Sequence, residues 1–202
     1  MREIDQTQAA YRRIAAVYAD TTVERGQILH DLEAFMKRVP AHSRVLDVGC
    51  GPGFDTAILR ERQRQAVGVD LSWHMMQSGR QRGVDVPCAQ ADMCLLPIAA
   101  GAVDAVWACA SLLHLPRPLL PSAFAEFCRI LRPGGIFYMS VKLGDGEQWS
   151  EQSYKQQAPR FFVYWQPETI DPLLAAAGFT ITDGWQNAGQ YGPWLARLSY
   201  KH

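Results

Sequence analysis

The residues with most to say about chemistry are acidic and evenly placed along the first half of the chain. Asp47 stands at the end of an apolar run, directly before Gly49, Cys50, Gly51 and Gly53 in VLDVGCGPGFDT. Asp70 follows twenty-three residues later at the end of a second apolar run, VGVDLS, and Asp92 follows a third in AQADMCLLP. A glycine-rich turn between a strand and a helix lets backbone approach a ligand closely while helix N–H groups point at it. A pyrophosphate would meet like-charge repulsion at Asp47, whereas a cationic group would be favoured there. S-adenosylmethionine offers an α-ammonium and a sulfonium, and its ribose needs a carboxylate at the tip of the second strand, the place Asp70 takes. A nicotinamide cofactor would use an acid at that same place, so Asp70 indicates a nucleoside without choosing between the two.

Positioning these residues requires a particular alternation of elements. Apolar runs at 45–48, 66–70, 84–89, 103–108 and 135–142 read as strands, and helical patterns at 54–64, 73–82 and 119–131 fill the gaps. Such crossovers build a parallel sheet covered on both faces. The end of the chain departs from this rhythm: a helix at 167–178 is followed by strands at 180–186 and 194–201 joined by the turn-rich 187–193, which predicts an antiparallel hairpin. Residues 1–40 read as an N-terminal helical cap, with Tyr11, Ile14, Ala15 and Tyr18 and then Ile28, Leu32, Phe35, Met36 and Val39 at helical spacing before Pro40. Residues 144–165, aromatic yet polar, read as a lid-like, substrate-facing insertion in a single domain spanning 1–202.

Composition narrows the partners. Twenty Lys and Arg balance twenty Asp and Glu, 48% of the 202 residues are hydrophobic, and no basic run suggests nucleic acid or a membrane surface. Five cysteines without C-x-x-C spacing read as reduced thiols and make a metal site a weak reading; Cys50 reads as chosen for its small size. With no apolar leader or membrane-length stretch, a soluble cytoplasmic protein acting on a small-molecule substrate is expected. Composition leaves the oligomeric state open.

Taken in order, DVGCGPG, VDLS, ADMCLLP, SLLHL and LRPGG resemble the ordered motifs of class I S-adenosylmethionine-dependent methyltransferases of the small-molecule "type 11" kind, over roughly Tyr11 to the C-terminus. The resemblance implies an α/β Rossmann-like seven-stranded sheet of order 3-2-1-4-5-7-6 with strand 7 antiparallel, S-adenosylmethionine as methyl donor and S-adenosylhomocysteine as product. It implies that Asp47, Gly49, Cys50, Gly51 and Gly53 hold the methionine moiety and Asp70 the ribose. Leu71 and Met75 would face adenine, Asp92 and Met93 its amino edge, and Ala110 the donor beyond the fourth strand, with Tyr11 and Tyr18 closing over the methionine end. Trp73 and His74 stand where the family usually has proline and glutamate.

Methyl transfer from a sulfonium is an in-line displacement, so alignment and exclusion of water matter more than a base unless the acceptor arrives protonated. His114, after the fourth strand, is the leading catalytic candidate; the alternative is a histidine that only holds the loop or cofactor. Tyr11 and Tyr18 either line the entrance or dock on the core. Lys142, Lys155 and Arg160 either meet an acidic substrate or face water. Trp149, Tyr154, Phe161, Phe162, Tyr164 and Trp165 suit an apolar acceptor or a lid core. Two other functions remain: a methyltransferase-like protein that binds the cofactor without turnover, and a dinucleotide-dependent oxidoreductase, disfavoured by Asp47 and by the third glycine following the second by two residues rather than three.

Overall fold

The computed structural model describes residues 2–189 and 192–202, so Gln190 and Tyr191 of the expected 187–193 turn lie outside the described residues. Its elements run α1 (Arg2–Thr21), α2 (Gln27–Met36), β1 (Arg44–Val48), α3 (Phe54–Glu61), β2 (Gln65–Asp70), α4 (Trp73–Arg80), β3 (Cys88–Gln90), β4 (Val103–Cys109), α5 (Leu120–Ile130), β5 (Leu131–Leu143), β6 (Glu147–Trp149), β7 (Phe161–Trp165), α6 (Pro167–Ala176), β8 (Phe179–Asn187) and β9 (Trp194–Lys201).

The main sheet has the order β3-β2-β1-β4-β5-β9-β8, with β9 antiparallel to both neighbours. With β8 and β9 as the expected sixth and seventh strands, this is the expected order. Two further strands bring the described total to nine. β7 pairs in parallel with Lys142 and Leu143, and β6 closes a hairpin on β7. Lys142 pairs with Tyr164 on one side and Trp194 on the other, so β7 takes over the edge of β5 that β4 leaves at Ser140. The insertion expected at 144–165 is thus partly a continuation of the sheet, and Phe161, Val163 and Trp165 join the core.

Side chains alternate across β1 as a period of two requires. Leu46 and Val48 meet α5 and α6, while Val45 faces the opposite layer with α2 and α3. The third strand is shorter than the expected 84–89 and starts later, because Pro87 has no N–H to donate and the ladder opens only at Cys88. The LRPGG turn lies inside β5: Val103 pairs with Leu131 but Ala105 with Ile136, so 132–135 loop out of the ladder. Above the carboxyl ends of the strands, α1 spans α4, β7 and the short 3-10 turn Leu112–His114.

Helix α4 lies directly on the glycine turn, and a Cβ on Gly79 would come within 1.9 Å of the Pro52 carbonyl oxygen. Gly79→Ala therefore costs stability despite the better helix propensity of alanine. The expected loss is about 3 kcal/mol, read by urea unfolding; a more stable variant would mean that α4 does not seat on the turn as described.

Candidate functional site

The glycine turn is built by backbone bonds from both of its first residues to one carbonyl: Gly49 N and Cys50 N donate to Val69 O at 2.7 and 3.0 Å. Gly49 (φ 74) and Gly51 (φ 54) occupy the left-handed region, and a Cβ on Gly49 would fall 2.3 Å from Ser111 Cβ. The turn is then tied to the second strand through Asp70, whose Oδ2 accepts from Gly51 N at 2.8 Å and whose Oδ1 accepts from Ser72 N at 2.7 Å. Burial pushes the Asp70 carboxyl up, and these two N–H donors pull it partly back.

Beside this turn opens a cavity of about 1180 Å³ counted out to its mouth. Twelve residues singled out from the sequence line it: Tyr11, Tyr18, Gly49, Cys50, Gly51, Asp70, Leu71, Met75, Asp92, Met93, Ala110 and His114. Two others do not. Asp47 points into the α2–α3 layer by strand alternation, is 2% exposed and accepts from Thr56 Oγ1 at 2.6 Å. Gly53 caps α3 at φ 87, where a Cβ would meet Val86 Cγ2 at 2.8 Å, so its constraint is packing. Burial and the neighbouring Asp55 push the Asp47 carboxyl up.

Asp55, in the first turn of α3, takes the lining position that Asp47 does not. Its Oδ1 accepts from Arg25 Nε at 2.6 Å and its Oδ2 from Trp107 Nε1 at 3.1 Å. Arg25 also lines the cavity, and nothing in its local sequence marks it. Thr7 and Gln8 do have a readable signal, since they share a helical face with Tyr11 and Tyr18; Gln8 Nε2 donates to Leu71 O at 2.9 Å and fastens α1 over the site. The hydroxyls of Ser72 and Ser111, both in the lining, are buried without a hydrogen-bond partner. Burial pushes the Cys50 thiol well up, leaving it inert. All five cysteines are free, and among the described residues no cluster of His, Cys, Asp or Glu can hold a metal ion.

At the far wall, Arg160 Nη1 donates to the Tyr11 hydroxyl at 3.0 Å, and that hydroxyl lies 2.8 Å from His114 Nε2. His114 Nδ1 lies 2.5 Å from the Phe161 carbonyl oxygen, which can only accept. The imidazole is therefore protonated on Nδ1, so Nε2 is the acceptor and the Tyr11 hydroxyl donates to it. Burial, reinforced by the Arg160 charge, pushes His114 down to about 3. Both ring nitrogens are engaged, which gives His114 the geometry of a holder of Tyr11 rather than of a free base.

Fold, glycine turn and acidic strand end define a class I Rossmann-like methyltransferase architecture. A methyltransferase-domain family matches residues 45–135. The chain is 44% identical over 162 residues to a trans-aconitate 2-methyltransferase of Azoarcus sp., covering 77% of this chain and 61% of that protein. It is 32% identical over 150 residues to a malonyl-[acyl-carrier protein] O-methyltransferase of Enterobacter lignolyticus, covering 71% and 58%. It thus spans about three fifths of the length of these relatives. Its fold matches the 1,6-didemethyltoxoflavin-N1-methyltransferase of Burkholderia thailandensis, solved with 1,6-didemethyltoxoflavin and S-adenosylhomocysteine, with a TM-score of 0.77 at 21% identity over 98% of this chain and 88% of that one. Residues 45–135 thus match a methyltransferase domain, on a fold shared with solved S-adenosylmethionine-dependent methyltransferases.

The His114 geometry has a measurable consequence. Imidazole 15N shifts should report a neutral ring protonated on Nδ1 at every pH from 5 to 8, and a ring titrating near 6.5 would contradict the bonding described. Because an unfolded histidine ionises near 6.5, acidification below that value loads protons onto the unfolded chain first. The stability contributed by His114 is thus full above that value and falls as the pH drops toward 3.

Proposed function

We propose that this chain transfers the methyl group of S-adenosylmethionine to a small-molecule acceptor in the cavity bounded by Tyr11, Tyr18 and His114. The observation that carries the reading is Asp70. Each of its oxygens is committed to one backbone N–H and keeps a lone pair for the ribose hydroxyls. The donor set fits the cofactor in two further respects. The orphaned hydroxyls of Ser72 and Ser111 call for polar partners in the cavity. Asp55 in the lining, with the buried Asp47 behind it, suits an α-ammonium, while Arg25 is at hand for an α-carboxylate.

Gly49, Cys50 and Gly51 would hold the methionine end with backbone, Leu71 and Met75 the adenine faces, and Asp92 with Met93 its amino edge; Ala110 lines the wall after β4. Bound there, the cofactor supplies an electrophilic methyl on a positively charged sulfur. The chain's own part is to align the acceptor and exclude water, for which the rings of Tyr11 and Tyr18, 5.9 Å apart, form a wall. The insertion 144–165, in this reading, bounds the acceptor side. The even balance of charges supports a small-molecule partner over nucleic acid, and the free cysteines suit a cytoplasmic setting; no helix among the described residues is long and apolar enough to cross a membrane.

Cofactor binding without turnover is the second reading, favoured by the engagement of both His114 nitrogens. Labelled methyl transfer from S-adenosylmethionine to any component of a metabolite extract would exclude it. If methyl transfer is the function, His114→Ala keeps S-adenosylhomocysteine affinity but lowers turnover, because Tyr11 loses its acceptor; equal turnover would remove His114 from the site's work. Calorimetric titration tests the cofactor directly. S-adenosylhomocysteine should bind and NADH should not, with Asp70→Asn weakening the former roughly tenfold to a hundredfold, the loss of about 1.5–3 kcal/mol typical of charge-assisted hydrogen bonds. Tighter NADH binding, or unchanged affinity in the variant, would overturn the reading.

A further inference from the structure

We infer that the methyl acceptor carries a carboxylate and that Arg160 is the residue that selects it; the inference rests on the methyl-transfer reading and concerns its second substrate. Arg160 leads into β7, the strand that extends the sheet over the carboxyl end of β4. Its guanidinium lies 5.3 Å from the Tyr11 ring centre, 5.6 Å from that of Tyr154 and 5.0 Å from that of Phe162. Nε donates to Ser153 Oγ at 2.9 Å and Nη1 to the Tyr11 hydroxyl at 3.0 Å. A guanidinium has five N–H bonds, so these two partners leave most of the fork unused.

Arg160 is a half-buried arginine without a counter-ion, as is Arg64, whose guanidinium is instead held by the Met36 and Val39 carbonyls. Arg25, Arg82, Arg129 and Arg197 each meet a carboxylate at 2.6–2.8 Å. Among the described residues none lies within 4.0 Å of the Arg160 nitrogens. Lys142, 7% exposed with its ammonium 4.2 Å from the Trp194 ring centre, adds a second cation on the same side and pairs with Tyr164 of β7. The positive field is felt nearby: burial and then the Arg160 charge push both Lys142, to about 8, and His114 down.

Holding a half-buried cation without an anion carries part of the cost of desolvating a charge, which the aromatic faces offset only in part. A carboxylate supplies what is missing, since its two oxygens match the planar fork of the guanidinium. Arg160 does not itself line the cavity but stands one hydrogen bond behind Tyr11, half-buried beside the Phe162 ring, so in this proposal an acceptor lying against Tyr11 extends a short acidic arm past that wall to the guanidinium. The Tyr11 proton is committed to His114, so the phenol does not compete as donor for that anion.

The test titrates the protein saturated with S-adenosylhomocysteine with benzoate, malonate and tricarballylate, and separately with the corresponding neutral amides. At least one acid should bind tenfold or more tightly than its amide. Arg160→Gln should lose that acid by tenfold or more while keeping S-adenosylhomocysteine affinity, and Arg160→Lys should retain part of it. Acids and amides binding alike, no acid binding, or an unchanged Arg160→Gln protein overturns the inference. If Arg160→Gln fails to fold, the acid–amide contrast in the wild-type protein and the Arg160→Lys titration decide it. A protein that does not bind S-adenosylhomocysteine at all sinks the methyl-transfer reading itself, whereas intact binding with indifference to the acids sinks only the choice of acceptor.

Discussion

Three carboxylates, Asp47, Asp55 and Asp70, are crowded at the carboxyl ends of β1 and β2 with a single guanidinium, Arg25, among them. Like charges this close in a water-poor setting repel strongly, and each must be offset by donors or by a proton. The local structure is largely the set of groups that do so. Gly51 N and Ser72 N serve Asp70, Thr56 Oγ1 serves Asp47, and Trp107 Nε1 with Arg25 serves Asp55. The bends of the glycine turn, the seating of α3 and the reach of Arg25 from the α1–α2 connection all follow from this requirement. Even so, the count stays one-sided, with burial and Asp55 raising the proton affinity of Asp47. A ligand bearing a cationic group relieves that imbalance, which is why this end of the cavity suits a sulfonium cofactor better than a pyrophosphate.

Charge of the opposite sign lies past Tyr11, where Arg160 and Lys142 stand at the ends of β7 and β5. Between the two ends runs a neutral stretch, Tyr11 donating to His114 and His114 to the Phe161 carbonyl. The cavity therefore has an acidic end, and two cations stand behind its opposite wall, separated from it by groups whose protons are already placed. An in-line displacement at a methyl carbon asks chiefly for alignment of donor and acceptor, and on the proposed reading this distribution of charge would favour a cationic donor at one end and an anionic acceptor at the other.

The strand order and the terminal hairpin were legible because they rest on local rules: apolar runs separated by helical stretches force crossovers, and a strand pair without an intervening helix forces an antiparallel neighbour. The glycine turn and Asp70 were legible because their spacing is short and their geometry local. Asp47 and Gly53 were placed in the right loop, but their side-chain directions depend on strand alternation and on Val86, a partner thirty-three residues further on. Arg25 and Asp55 were missed for the same reason, since their pairing spans thirty residues and only the packing of α3 against the α1–α2 connection brings them together. The early part of the 84–89 run was misread because apolar character outweighed the missing N–H of Pro87. In the 144–165 segment, rings at β7 alternate between core and surface, a pattern that polar neighbours obscure in the sequence.

The central claim is that a crowded, partly protonated acidic cluster beneath the glycine turn receives a cationic ligand. Titration calorimetry of S-adenosylhomocysteine at pH 7, repeated in buffers of different ionisation enthalpy, measures it most directly, because the α-ammonium stabilises the ionised form of a carboxyl held up by its neighbours. The account predicts binding with net release of protons, smaller at pH 9 than at pH 7 as the cluster ionises on its own. Binding with no proton exchange, or with proton uptake, would contradict it.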